Sequence, residues 1–224
     1  LDHEAQCPTP QEADHYLSEN PNHGMPYGLP ALTNDEFTTI TQWISNGGIM
    51  ANKAPLSSNY LSQVDRWEAF LNQDDLKHQL MARYVYEHIY LAHLYFSELD
   101  NDKPSVQKEY FRLVRSATPP GQAIDPIKTR RPYDDPGVQR VYYRLKREQQ
   151  TLLDKTHIPY RLDQKRMDWI NELFIKPDYQ VTTFPSYEPK VAANPFEAFK
   201  EIPGRSKYRF MLEESQFTIM GFIK

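Results

Sequence analysis

The sequence predicts a helix-rich α+β chain in two parts, a small all-α module over residues 1–52 and a larger α+β domain over 53–224. Three observations lead there. Residues 1–52 hold seven acids (Asp2, Glu4, Glu12, Asp14, Glu19, Asp35, Glu36) and neither Lys nor Arg, whereas the whole chain has 26 basic and 30 acidic residues, so the remainder carries +3. A charge break of this kind, near Ala51 to Pro55, marks a boundary between modules. Apolar residues recur at helical spacing through both parts, while strand-like alternation sets in only after residue 109. Eighteen prolines against eight glycines indicate stiffened connections.

In the first part, Thr9, Pro10 and Glu12 spell a helix start: a hydroxyl cap, proline at the first helical position and a capping-box glutamate. Thr33 with Glu36 repeats the device, and Leu32 with Phe37 is placed as a hydrophobic staple. The second helix sets Phe37, Ile40 and Ile44 on one face beside Trp43 and ends at Gly47-Gly48. In the second part a helix is expected from about Ser58 to Asn72. A longer one follows Asp74-Asp75 to about Leu99, with Leu80, Tyr84, His88, Leu91 and Tyr95 in one stripe. "EYFRLVR" (109–115) and "QRVYYRLKR" (139–147) alternate as strands, the latter with Val141, Tyr143 and Leu145 on one side and Arg140, Tyr142, Arg144 and Lys146 on the other. A helix from Asp163 to about Ile175 and a short one opened by Asn194-Pro195 follow. "FTIMGFIK" (217–224) reads as a buried strand that stops without turn residues. With Leu1 at the start, this suggests a piece of a longer protein.

Candidate chemistry centres on "GMPYGLP", residues 24–30. The Met25 thioether is a soft donor of the kind haem iron accepts, Gly24 lets the backbone pass close to a flat macrocycle, and Pro26 stiffens it. A methionine filling a surface gap is the other reading. Followed by a capped helix bearing Trp43, the stretch resembles the closing third of a class I c-type cytochrome. The single Cys7 excludes an internal disulfide, and the chain contains no Cys-x-x-Cys-His haem attachment site. His88 and His93, about 140° apart if both lie on one helix, cannot chelate one ion from it. His88 reads as an aromatic-packed histidine. His157 is either an acid–base group or an ordinary turn residue.

The stretch "KTRRPYDDPGVQRVYYRLKR" (128–147) holds seven basic residues against two aspartates, with tyrosines interleaved. A solvated strand face plus a turn accounts for it, with Arg130 or Arg131 pairing Asp134 and Asp135. A carboxylate-binding role for Arg130 or Arg131, beside Tyr133, stays open. No nucleophile elbow, Walker loop or dinucleotide fingerprint is present, so nothing favours hydrolase or nucleotide chemistry. The longest apolar run, around His88 to Phe96, is too short to span a bilayer.

Several strings together resemble the bacterial fatty acid cis/trans isomerase family: "GMPYGLP", "WEAFLNQDDLKHQLMARYVYEHIYLAHLYF", "FRLVRSATPPGQAID", "TRRPYDDPGVQRVYYRL", "KTHIPYRL", "FPSYEPKVAANPF" and "YRFMLEESQFTIMGFIK". The likeness runs in register over nearly the whole chain. It implies a periplasmic enzyme with one covalently attached haem c, acting on unsaturated fatty acids or phospholipid acyl chains at or near a membrane surface, with no nucleic-acid partner. The attachment segment would precede Leu1, making residues 1–52 the closing part of a cytochrome c-like module with Met25 as axial ligand and Gly24 and Trp43 beside the haem. Arg130, Arg131, Tyr133 and His157 are candidate substrate-binding residues on the residue reading above, and the resemblance supplies no catalytic residue for the second part. The alternative is a non-enzymatic periplasmic electron-transfer cytochrome fused to a partner- or lipid-binding domain.

Overall fold

The computed structural model describes residues 8–23, 30, 32–49, 53–100, 108–149 and 158–222. The chain folds as two compact units, residues 1–52 and 53–224.

The first unit contains helices α1 (Ala13–Glu19) and α2 (Asn34–Ser45). Thr33 caps α2 through the expected capping box: its Oγ1 accepts from the Glu36 backbone N–H at 3.3 Å, and its own N–H donates to Glu36 Oε2 at 2.8 Å. The Thr9–Glu12 pair forms as well, one turn ahead of α1, with Thr9 N–H donating to Glu12 Oε2 at 3.0 Å. The helix ends as Gly47 (φ 87°) and Gly48 (φ 61°) turn the chain into the left-handed region, where a Cβ is costly. Trp43 folds back over this turn, its Nε1 donating to Ile49 O at 3.0 Å. No described residue of this unit is buried, and the two helices alone do not display a cytochrome c-like fold.

The second unit is α+β. Helices α3 (Ser58–Leu71) and α4 (Leu76–Ile89) lead into strand β1 (His93–Phe96) and the turn of helix α5 (Ser97–Asp100). Strands β2 (Phe111–Ser116), β3 (Tyr142–Arg147) and β4 (Pro159–Leu162) follow, then α6 (Gln164–Phe174), the short helices α7 (Pro189–Ala192) and α8 (Pro195–Ala198), and α9 (Gly204–Phe222). The sheet order is β3-β2-β1-β4, with β1 parallel to β4 and the other pairs antiparallel. One face carries Leu94, Phe96, Phe111, Leu113, Tyr143, Leu145, Tyr160 and Leu162, all buried. Against it pack α3 over β3, α4 over β2, and α6 with α9 over β4. Asp75 and Asp163 cap α4 and α6 by accepting from the backbone N–H of His78 and Arg166 at 3.0 and 2.8 Å.

The free edge of β3 is closed by side chains of α3. Glu68 Oε1 accepts from Leu145 N–H at 2.8 Å while its Oε2 takes Arg144 Nε at 2.7 Å, and both carboxylate and guanidinium are buried. Arg144 then reaches the carbonyls of Pro119 and Gln122 at 2.6 and 3.1 Å, fastening the Pro119-Pro120-Gly121 turn to the sheet. An unpaired edge is a template for aggregation, and this one is occupied from within the chain.

Two expectations are overturned. The helix expected to run to Leu99 stops at Ile89, and His93 to Phe96 become the β1 strand, so His88 and His93 do not share a helix. An apolar run buried on all sides suits a buried helix and an interior strand equally. The strand wins because β1 lies between β2 and β4 and is laddered on both sides. His88 is packed on aromatic rings, its centroid 4.2 Å from that of Tyr84. Of the terminal stretch, residues 217–222 are helical, not a strand, and Phe217, Ile219 and Met220 are exposed. It continues α9, where each added residue extends an existing hydrogen-bond ladder without needing a new strand partner.

Candidate functional site

Register places two polar side chains on the buried face of the sheet. Arg115 follows Phe111 and Leu113 at the strand period of two, and its cross-strand partner on β3 is Tyr143. Both are buried. Arg83, on the buried side of α4, joins them, and Tyr86 of the same helix lies between, its ring 5.4 Å from that of Tyr143 and 5.8 Å from the Arg115 guanidinium.

Backbone carbonyls hold both guanidiniums. Arg83 donates from Nη1 to Pro185 O at 2.8 Å and from Nε to Glu87 Oε1 at 2.8 Å. Arg115 donates from Nη1 to Asp134 O at 2.7 Å and from Nη2 to the Thr129 hydroxyl. The irregular segment 177–188 lies across this cluster. Arg83 pins it at Pro185 and stacks on Tyr187, with its guanidinium carbon 3.9 Å from the ring centroid, while Thr182 N–H and hydroxyl donate to Glu201 at 3.0 and 2.9 Å.

Donors are left over. Arg83 Nη2, Arg115 Nε and the hydroxyls of Tyr143 and Tyr187 are all buried without a hydrogen-bond partner. The two hydroxyls approach one another but do not meet hydrogen-bond geometry. Burial holds both phenols above their ordinary range, so they stay protonated and available as O–H donors. Burial also pushes the Glu87 carboxyl up, against the pull of Arg83 and Arg115. With one carboxylate against two guanidiniums, the cluster carries an excess positive charge.

Beside it opens a cavity of about 310 Å³. Leu71, Val138, Val141, Phe184 and Pro185 give it apolar walls, Tyr143 and Tyr187 are part of its lining, and Arg140 and Gln79 add polar groups. A second cavity of about 470 Å³ shares Phe184, Pro185 and Ser186, so this segment forms a wall between the two spaces. Apolar walls with a few convergent polar groups are the form of a small-molecule site.

The residues singled out in the sequence lie elsewhere. Arg130 and Arg131 are exposed in the turn ahead of β3, and the Arg131 guanidinium is 5.8 Å from the Tyr133 ring. Asp134 Oδ2 accepts from the Arg131 backbone N–H at 2.9 Å, and Asp134 O accepts from Arg115, so the turn touches the buried cluster through its backbone. None of the three lines the cavity. Gly24, Met25 and His157 lie outside the described residues. Sequence reading missed Arg83, Arg115 and Tyr187. The signal for Arg115 was present, since a basic residue in register with Phe111 and Leu113 occupies a core position.

Trp43 is half exposed, and Phe37, Ile40 and Ile44 of α2 are 61%, 42% and 61% exposed. These side chains leave an apolar helix face open to solvent. No group of three His, Cys, Asp or Glu side chains that could hold a metal ion occurs among the described residues. Nor is any described helix long and apolar enough to cross a membrane.

Elsewhere, His93 and Arg112 share Glu148, with His93 Nδ1 2.6 Å and Arg112 Nε 2.9 Å from Glu148 Oε1. Arg166 and Tyr160 both donate to Glu214 Oε1 at 2.7 Å and tie α9 to the sheet.

The family model described as fatty acid cis/trans isomerase (CTI) matches residues 1–224. No curated protein and no solved structure matches the chain.

Proposed function

Because the chain belongs to the fatty acid cis/trans isomerase family, a family of isomerase enzymes, we propose that it serves the conversion of cis-unsaturated acyl chains to the trans form with the help of a haem c. The observation that carries this reading is the family match across all 224 residues. The apolar cavity walled by Leu71, Val138, Val141 and Phe184 supports it, because an acyl chain needs such a lining.

Rotation about a C=C bond is slow because it breaks π overlap. A haem c, when bound, would supply an electron acceptor near the double bond, chemistry that would ease its rotation. Met25 would hold it through its thioether, Gly24 would allow close approach, and Trp43 with the apolar face of α2 would wall it. The Cys-x-x-Cys-His segment that would attach it is not in this sequence. The place of action we propose is the periplasm, on fatty acids or phospholipid acyl chains, with peripheral membrane contact. In the second unit, the chain's own residues bind the acyl chain in apolar surroundings and exclude water from it.

The test is to incubate the haem-loaded protein anaerobically with a cis-monounsaturated fatty acid and to analyse the products by gas chromatography. Trans product with the double bond unshifted is expected. Its absence overturns the reading.

A further inference from the structure

Two cavities of the second unit meet at one wall. The smaller, about 310 Å³, has Leu71, Val138 and Val141 among its lining; the larger, about 470 Å³, has Leu80, Val191 and Ala198; Phe184, Pro185 and Ser186 line both. The backbone of this wall is tied on either side of Phe184. Thr182 donates through its N–H and hydroxyl to Glu201 at 3.0 and 2.9 Å, and Pro185 O accepts from Arg83 Nη1 at 2.8 Å. Standing before a proline, Phe184 is restricted to extended backbone, which limits the directions its side chain can take. Its ring is half-buried, with its centroid 6.2 Å from that of Tyr187 and 5.6 Å from the Arg83 guanidinium carbon. With the backbone anchored and the ring braced, the bulk of the Phe184 side chain decides how far the smaller space extends.

We infer that Phe184 sets the chain length accepted by the smaller cavity: an acyl chain lies along Leu71, Val138 and Val141, and its methyl end stops against Phe184, beyond which the larger cavity begins. The choice of an acyl chain as occupant rests on the isomerase reading. Apolar walls gain from each methylene they cover and gain nothing from one that finds no room, so a closed end makes a hydrophobic slot selective for length. Removal of the ring joins the two spaces and offers Leu80, Val191 and Ala198 to further methylenes. The larger lining also holds Glu197, Lys200 and Glu201, so Phe184 in place keeps the methyl end away from charged groups. Phe184 is a specificity residue in this scheme, and Arg83 acts by anchoring the wall that carries it.

The test is binding to the full chain of a series of cis-monounsaturated fatty acids, each two carbons longer than the last and all below their micellar concentrations, read by displacement of a fluorescent fatty-acid analogue. In the unaltered protein affinity is expected to climb by about fourfold for each methylene buried and then to stop climbing at one length. Phe184→Ala is expected to move that break to chains at least two carbons longer, and Phe184→Trp to move it to shorter ones. An affinity that climbs through the whole series in the unaltered protein, or no binding at any length, overturns the assignment whether or not the variants fold. Folded variants that break at the same length as the unaltered protein overturn it too, because a loss of packing alone weakens all lengths together. Isomerisation is read separately, by gas chromatography on the haem-loaded protein. Trans product with an unmoved break refutes the role of Phe184 alone, whereas a moved break without trans product refutes the isomerase reading alone.

Discussion

Asn72, at the end of α3, holds both backbone groups of Tyr143: its Oδ1 accepts from the Tyr143 N–H at 2.8 Å and its Nδ2 donates to the Tyr143 O at 2.9 Å. A single amide thus replaces a neighbouring strand at this position and fixes the backbone of a residue whose ring lines the cavity.

Asn72→Ala leaves that N–H and C=O on the sheet edge without partners. The expected loss of stability is about 1–3 kcal/mol, read as a lower urea midpoint with an unchanged slope. A midpoint equal to that of the unaltered protein would show that the amide is dispensable.

Glu87 yields a prediction about pH. Burial raises its folded-state pKa above the ordinary 4.5, even with Arg83 alongside. Its contribution to stability is therefore whole below about 4.5 and is lost as pH rises through the raised folded-state value. Glu87→Gln removes this titration. The variant and the unaltered protein are expected to be closest in stability under acid conditions, with the difference moving in favour of glutamine as pH increases, as followed by urea unfolding across pH. A difference that moves towards glutamate with increasing pH would mean that the ion pair outweighs desolvation.

Met25→Ala, in protein carrying the haem, is expected to abolish the long-wavelength sulfur-to-iron absorption band. Persistence of the band would show that a sulfur other than that of Met25 holds the iron.

Much of the second unit was legible in the sequence because its signals are local. Asp163 ahead of α6, Asn194-Pro195 ahead of α8, and the alternation in β2 and β3 each follow from residues within a few positions. The missed strand at His93 to Phe96 depends on partners at residues 111 and 159–162, which no local window contains. The candidate site was hidden for the same reason. Arg83, Arg115, Tyr143 and Tyr187 come from a helix, two strands and an irregular segment, and each alone reads as a surface base or a core aromatic. The charge-rich turn attracted attention because its arginines are adjacent in sequence, yet the buried guanidiniums are the isolated ones.

The parallel pairing of β1 with β4 joins residues 93–96 to 159–162. On a ribosome the earlier strand emerges more than sixty residues before its mate, so the edge of β1 that takes β4 stays open while the intervening polypeptide is made, even though its other edge can meet β2 sooner. Closing a loop of this length costs chain entropy before the pairing repays it, which is the general reason long-range strand pairs form slowly.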